Sequence, residues 1–160
     1  MRKHPIAASA TLAMVIGVIA ACGQASPSAS ASPTSTCVNA SAPHHAYVVV
    51  QHSAGNAVQR CVGFSGDTID AQAVMDQSKI EYQTQTFNFG KAVCQLDNEP
   101  AQYSQCFAAD GHFWMLFVDS GGTWTASQTG YTQVTLHDKQ ALGWLYTKDQ
   151  SPSPPPLPEQ

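Results

Sequence analysis

Charged residues are scarce in this chain, and basic ones are the scarcer kind. The 160 residues include 7 Lys and Arg against 11 Asp and Glu, a formal net charge of −4. Binding to nucleic acid depends on neutralising phosphates with Lys and Arg, and electrostatic attachment to anionic lipid needs a cluster of the same residues. The composition therefore predicts no nucleic-acid partner and no purely electrostatic membrane attachment.

Patterns typical of metal sites are missing as well. No two cysteines have the C-x-x-C spacing of structural zinc sites. Asp97, Glu99 and Asp110 have a spacing that fits no calcium loop, so a solvated acidic edge is the expected arrangement. The adjacent pair His44-His45 cannot direct both rings at one ligand from a strand. We predict no metal site.

Catalytic motifs are equally hard to find. Gly63-Phe64-Ser65-Gly66 lacks the G-x-S-x-G spacing of a nucleophile elbow. Asp119-Ser120-Gly121-Gly122 superficially resembles a serine-protease nucleophile loop but is better explained as a hairpin turn. His112 and His137 have no recognisable partners. We therefore predict that the protein is not an enzyme and has no catalytic residues.

The longest apolar stretch, from Pro5 to Ala21, is shorter than the roughly 20 residues of a membrane span. It follows Arg2 and Lys3 and ends in small residues before Cys22, the order of a secretory signal. Its end resembles the bacterial lipoprotein signal, in which the cysteine is acylated. We predict a signal peptide over residues 1–21 and lipidation of Cys22, which places the protein at the cell membrane, anchored in the bilayer on its extracytoplasmic face. An ordinary signal peptide and a retained anchor helix are the alternatives, and both keep the domain outside the cytoplasm.

The other four cysteines form an even set in an oxidising compartment. Four cysteines allow three pairings. Cys94 with Cys106 is favoured because only a Pro- and polar-rich loop separates them, and Cys37 with Cys61 follows by elimination. Two structural disulfides are expected.

Both ends of the predicted mature chain have compositions that cannot bury enough apolar surface to fold. Residues 22–43 are mostly Ser, Ala and Pro, as in a disordered tether, and residues 149–160 form a Pro-rich tail that we also predict to be disordered. Docking of the tail to a proline-reading partner is an alternative. One domain is left, over residues 44–148.

Within this domain, β-branched runs and turn residues predict a hairpin of Tyr47–Gln51 and Ala57–Val62. Helical spacing of apolar residues predicts one short helix at about residues 68–79. Further strands are expected over residues 80–87, 92–96, 113–118, 123–126, 133–136 and 142–146. Because no pattern repeats at a fixed period, a solenoid or propeller is not expected. The order of two strands, one helix and then further strands predicts an α+β fold.

Several short motifs follow one another along the chain: Gly66–Ala71, Val93–Pro100, Cys106, Phe113-Trp114, Gly122-Thr123-Trp124 and Gly143–Tyr146. Their order, over about residues 46–148, resembles that of small secreted bacterial proteins related to the transcobalamin C-terminal domain. Asn98 is a departure, since a glycine is common there. The resemblance implies a β-grasp-like mixed sheet on one helix, and lipid-anchored relatives that capture small molecules for uptake. It therefore allows a corrinoid as the ligand and a transporter as a partner.

Bulky aromatics are concentrated in the last third of the domain. Aromatic side chains stack on planar ligands and offer N–H or O–H groups at a pocket rim. Trp114, Trp124 and Tyr131 are our ligand-binding candidates, whereas Trp144 is expected in the core. The sequence thus predicts a non-enzymatic lipoprotein that binds a small molecule for uptake or sensing. The alternative is an envelope protein-interaction module that docks a permease or a wall enzyme.

Overall fold

The computed structural model describes residues 37–107 and 109–160, which form a mixed sheet with one short helix and two disulfides. The predicted signal peptide, Cys22 and residues 23–36 of the predicted tether lie outside these residues. None of the helices in the described part of the chain is both long and apolar enough to cross a bilayer. The elements are β1 His44–Gln51, β2 Ala57–Phe64, β3 Ile69–Asp70, α1 Ala71–Ser78, β4 Tyr82–Phe87, β5 Gly90–Leu96, β6 Phe113–Asp119, β7 Trp124–Ala126, a 3-10 helix Tyr131–Gln133, β8 Thr135–Leu136, and β9 Ala141–Thr147.

The main sheet has five strands in the order β2-β1-β9-β6-β7. β1 and β2 form the predicted antiparallel hairpin, and β6 pairs with both β7 and β9 in antiparallel fashion. β1 and β9 are parallel, with Val48 opposite Leu142. The last strand therefore lies in the centre of the sheet, between two hairpins. Two small two-stranded sheets, β3-β8 and β4-β5, complete the fold.

Helix α1 packs on one face of the main sheet. Ala71, Val74 and Met75 are fully buried, and Ser78 is 1% exposed, so the helix buries a single stripe. It is shorter than predicted at its start because Ile69 and Asp70 pair with β8 instead of continuing the helix. At its end, Lys79 adopts a φ of 63°, a left-handed conformation that terminates the helix.

The two faces of the sheet are both covered. Side chains that alternate along the strands, among them Val48, Leu116 and Trp144, join the main core beneath α1. On the other face, Tyr47, Cys61 and Ala141 form a smaller buried cluster, with Trp124 packed against it. Residues adjacent in sequence thus contribute to two separate cores.

The β4-β5 hairpin and the corner after it depend on positive φ angles. Gly90 has a φ of 112°, as expected for the turn between the strands. At the corner, Leu96 and Glu99 exchange both backbone hydrogen bonds at 2.9 Å, and Asp97 and Asn98 have φ of 49° and 62°. Asn98 can replace a glycine there because asparagine tolerates the left-handed region best among residues with a Cβ.

Both predicted disulfides are present with the predicted pairing, Cys37 with Cys61 and Cys94 with Cys106. The first begins the ordered domain earlier than predicted. The Val38 N–H donates to Cys61 O at 3.0 Å, and the Gly63 N–H donates to Val38 O at 2.7 Å. Residues 37–43 of the predicted tether are consequently part of the folded domain.

The Pro-rich segment also differs from its predicted disorder. Pro155 is buried, and the Gln59 side chain hydrogen bonds with the backbone of Glu159. Composition alone indicated no folded structure because the segment cannot form a core by itself. Instead, Pro155 packs against the sheet beside Gly143.

Candidate functional site

A cavity of about 320 Å³ opens where the β4-β5 hairpin, β6 and the 127–131 segment meet. Its volume falls at the lower end of the range usual for small-molecule sites, and its lining is mainly aromatic and aliphatic. Its aromatic lining residues are Phe89, Phe107, Phe113, Trp114, Tyr131 and Trp144. This cavity is the best candidate site in the described part of the chain.

Trp114, in β6, is held in one orientation by polar and aromatic contacts. Its side chain is buried, and the indole N–H donates to the backbone oxygen of Glu99 at 3.0 Å. Its ring lies against Tyr146, with centroids 5.0 Å apart, and the His52 ring approaches it edge-on at 6.1 Å. A ring fixed in this way loses little conformational entropy when a ligand stacks on it.

Tyr131 and Trp144 form the deeper part of the lining. Both side chains are at most 2% exposed, and their rings meet edge to face with centroids 6.1 Å apart. Burial is the main cause that raises the pKa of Tyr131 above its usual value. The Trp144 indole N–H is buried and has no hydrogen-bond partner among the described residues.

Two phenylalanines of the cavity lining are exposed to solvent. Phe89 and Phe107 are 41% and 47% exposed, unusually high values for such large apolar side chains. Phe87 connects them, since its ring stacks on Phe89 and tilts against Phe107 with centroids 5.2 Å apart in each case. We call Phe87, Phe89 and Phe107 the phenylalanine rim.

The cavity lining also has a polar part. It includes Lys91 and the segment 127–130. Gly130 lies so close to the hairpin that a Cβ there would stand 2.8 Å from Lys91 O, and its N–H donates to Phe89 O at 3.0 Å. Every ion pair among the described residues involves a histidine, which leaves Lys91 without a carboxylate partner there. An amine at the mouth of an apolar cavity suits a ligand with an anionic or acceptor group.

The structure brings together two of the three predicted ligand-binding residues. Trp114 and Tyr131 line the cavity, but Trp124 lies on the opposite face of the sheet. In the β6-β7 hairpin Trp124 is opposite Asp119, so these two side chains share a face of the sheet. Successive side chains of a strand point to opposite faces, and Trp114 is five residues before Asp119 in β6, so it lies on the other face. Residue parity and the register of the β6-β7 hairpin could have separated the two tryptophans. No sequence pattern indicated that Phe89 and Phe107 belong to the same site, because they come to line one cavity only in the folded protein.

Beside the cavity, an imidazole joins two carboxylates. His52 Nδ1 lies 2.7 Å from Glu99 Oε2, and His52 Nε2 lies 3.0 Å from Asp97 Oδ2. Ser53 also donates its hydroxyl to Glu99. Asp97 and Glu99 therefore form a closed network with the β1-β2 turn and not the open acidic edge expected from sequence. The third acidic residue, Asp110, is separate, and its pKa is lowered chiefly by the backbone N–H of His112.

Cys37, His45 and Cys61 offer potential metal-ligand atoms within 4.8 Å of one another. The two sulfurs, however, are bonded to each other as a disulfide. Metals bind cysteine as the thiolate, so the oxidised chain does not present this ligand set.

Fold and cavity together define an α+β domain with an aromatic-lined cavity. Neither protein-family models nor curated proteins give a match to the chain. Among solved structures, the chain is similar to a crystal structure described as a "putative metal binding protein" from Ruminococcus gnavus ATCC 29149. The two chains are 15% identical with a TM-score of 0.50, and the match covers 66% of this chain and 98% of the other. At this identity the likeness concerns the fold alone.

Proposed function

We propose that this protein is a non-enzymatic, lipid-anchored extracytoplasmic protein that binds a small molecule in the aromatic cavity. The observation that carries the proposal is the cavity itself, an aromatic-lined space of about 320 Å³ in which a hydrogen bond from the indole N–H to Glu99 O fixes Trp114. Apolar walls supply most of the affinity of such sites, and a few polar groups orient the ligand.

The cavity also restricts the ligand class. Its volume of about 320 Å³ and its aromatic lining suit a compact, mainly apolar molecule with an anionic or acceptor group near Lys91. A corrinoid is much larger than this space. It could place only an edge or a side group in the cavity, so smaller ligands are favoured.

The strand order supports a β-grasp assignment within the α+β class. The central strand β9 lies between the β1-β2 and β6-β7 hairpins and is parallel to β1, and one helix packs on the sheet. Membrane anchoring rests on the sequence before residue 22. The two disulfides agree with an oxidising compartment.

The test is a thermal-shift and calorimetric screen of the oxidised chain from residue 23, with aromatic carboxylates, indoles, nucleobases and corrinoids. A ligand at 100 times its Kd should stabilise the protein by about 2.7 kcal/mol. Trp144→Phe keeps an aromatic ring but removes part of the apolar lining, and should weaken binding about tenfold.

Trp124→Phe is the matched control, since it makes the same change on the other face of the sheet. It should leave ligand affinity unchanged. Equal effects of the two variants, or a screen without any saturable shift in a cooperatively melting protein, would contradict the proposal.

A second candidate function is an interaction module that docks a permease or a wall enzyme in the cell envelope. The exposed phenylalanine rim and the 39% exposed Tyr103 favour it, because exposed aromatics are common at protein interfaces. A photo-crosslinking residue at Phe89 should then capture a partner in intact cells, whereas one at exposed Asp149 should not. Crosslinks only to the protein itself from both positions would count against docking.

A further inference from the structure

The Pro-rich segment 151–160 lies on the sheet face opposite the cavity, where the main strand β9 has a glycine. A Cβ at Gly143 would stand 2.8 Å from Pro155 Cγ and 2.9 Å from Trp124 Cη2. The proline ring and the indole therefore share the space that a larger residue would fill. Pro155 is buried in this groove.

Four residues further on, the segment is held by a two-point hydrogen bond. The Gln59 side-chain amide donates to Glu159 O at 2.6 Å, and its oxygen accepts from the Glu159 N–H at 2.8 Å. Gln59 is only 5% exposed, so this amide is built into the sheet face. It pairs with the peptide backbone and not with the side chain, so it does not depend on which residue stands at position 159.

The two contacts lie in one transverse row of the sheet. Gln59 is opposite Val49, and Val49 is opposite Gly143, so the groove crosses β2, β1 and β9. Two strand spacings amount to about 10 Å. Four residues of polyproline II span about 12 Å, enough to reach from Pro155 to Glu159.

An aromatic side chain, a proline-sized gap and a backbone-reading amide are the elements by which proteins recognise polyproline II peptides. We infer that this groove, formed by Gln59, Trp124 and Gly143, is a binding site for proline-rich peptides. Segment 151–160 is its resident ligand. A proline-rich segment of a partner protein binds by displacing it.

A partner segment has to compete with the contacts that hold the resident one. These include Pro155, Glu159 and Gln160, whose side-chain amide donates to Lys139 O at 3.1 Å, and covalent attachment supplies a high effective concentration.

The experiment uses the full oxidised chain with a single protease site introduced between Asp149 and Gln150. After cleavage and removal of the released segment, retention of the fold is checked by a cooperative melt. Calorimetric titration with a synthetic peptide of residues 151–160 should then give saturable one-to-one binding. The uncleaved chain should bind the same peptide at least about 100-fold more weakly, because its own segment occupies the groove.

Peptide variants test the groove without altering the protein. Pro155→Ala in the peptide should weaken binding at least about tenfold, and the cleaved Gln59→Leu protein should weaken it similarly. No binding to a cleaved protein that is still folded, equal binding of the Pro155→Ala peptide, or equal binding to the uncleaved chain would each overturn the inference. Since none of these readouts involves the cavity, failure here leaves the proposed small-molecule function untouched.

Discussion

At the scale of single residues, Asp119 is a buried acidic side chain that lacks hydrogen bonds to the described residues. It is 1% exposed, and neither carboxylate oxygen has a hydrogen-bond partner among the described residues. It stands between Trp124 and Ala141 in the sheet. Burying an ionised carboxylate without a partner costs several kcal/mol, so this residue lowers the stability of the fold.

We expect Asp119→Asn to raise the free energy of unfolding at neutral pH by on the order of 1–3 kcal/mol, because it removes the charge at nearly constant shape. Urea denaturation monitored by circular dichroism measures the change. A lower midpoint would instead mean that the carboxylate holds a cation or a donor in solution.

Asp138→Asn is the matched comparison and should have the opposite sign. Asp138 Oδ1 accepts from the His45 N–H at 2.9 Å, and this bond is the main cause that lowers its pKa. A lowered folded-state pKa stabilises the protein above the unfolded-state pKa, and the effect is lost as pH falls through the folded-state value. Asp138→Asn should therefore lower the midpoint at pH 7 and have little effect at pH 2.

At the scale of elements, the two disulfides have different positions relative to the cavity. Cys94 and Cys106 are 12 residues apart and fasten the segment that carries Phe107 to β5. Cys37 and Cys61, 24 residues apart, fasten the start of the domain to β2. The first disulfide supports the phenylalanine rim, whereas the second lies with the core of the other face.

Replacing both cysteines of either pair by serine should cost about 3 kcal/mol of stability by the chain-entropy model. Only the Cys94/Cys106 variant should also lose affinity for a cavity ligand, because it releases Phe107 from the mouth. Thermal denaturation and ligand titration of both double variants separate these effects. An equal loss of affinity in the Cys37/Cys61 variant would show that the rim does not contribute specifically.

At the scale of the whole molecule, tyrosine burial determines how the fold responds to alkali. Burial is the largest cause that raises the pKa of Tyr47, Tyr82, Tyr131 and Tyr146. The Tyr82 hydroxyl also donates to Asp76, which favours its protonated form. A raised folded-state pKa gives stability that is complete below the unfolded-state value of about 10 and is lost as pH rises through the folded-state values.

We therefore expect the urea midpoint to be constant near pH 8 and to fall steeply above about pH 10. Absorbance of tyrosinate should rise together with the loss of circular dichroism, since the buried rings ionise as the chain unfolds. Tyr82→Phe should make the decline shallower. Gradual ionisation of all tyrosines in a still-folded protein would refute this explanation.

Local patterns sufficed for much of this fold. Alternation, turn residues and cysteine spacing gave the β1-β2 hairpin, the single helix, most strands and both disulfide pairings, because these features depend on neighbours in sequence or on a short loop. The start of the helix was misplaced because pairing of Ile69 and Asp70 with distant β8 overrode local helical preference.

The sequence by itself also determined that bulky aromatics lie in the last third of the domain, around Trp114 and Tyr131. Runs of β-branched and aromatic residues are typical of buried strands, so many of these side chains were expected to be buried. Only the tertiary structure decided which aromatics meet. Strand register placed Trp124 on the far face, and tertiary packing placed Phe87 in ring contact with both Phe89 and Phe107. The Pro-rich segment gained a position for the same reason, because its partners Gln59 and Gly143 are distant in sequence and adjacent only in the folded sheet.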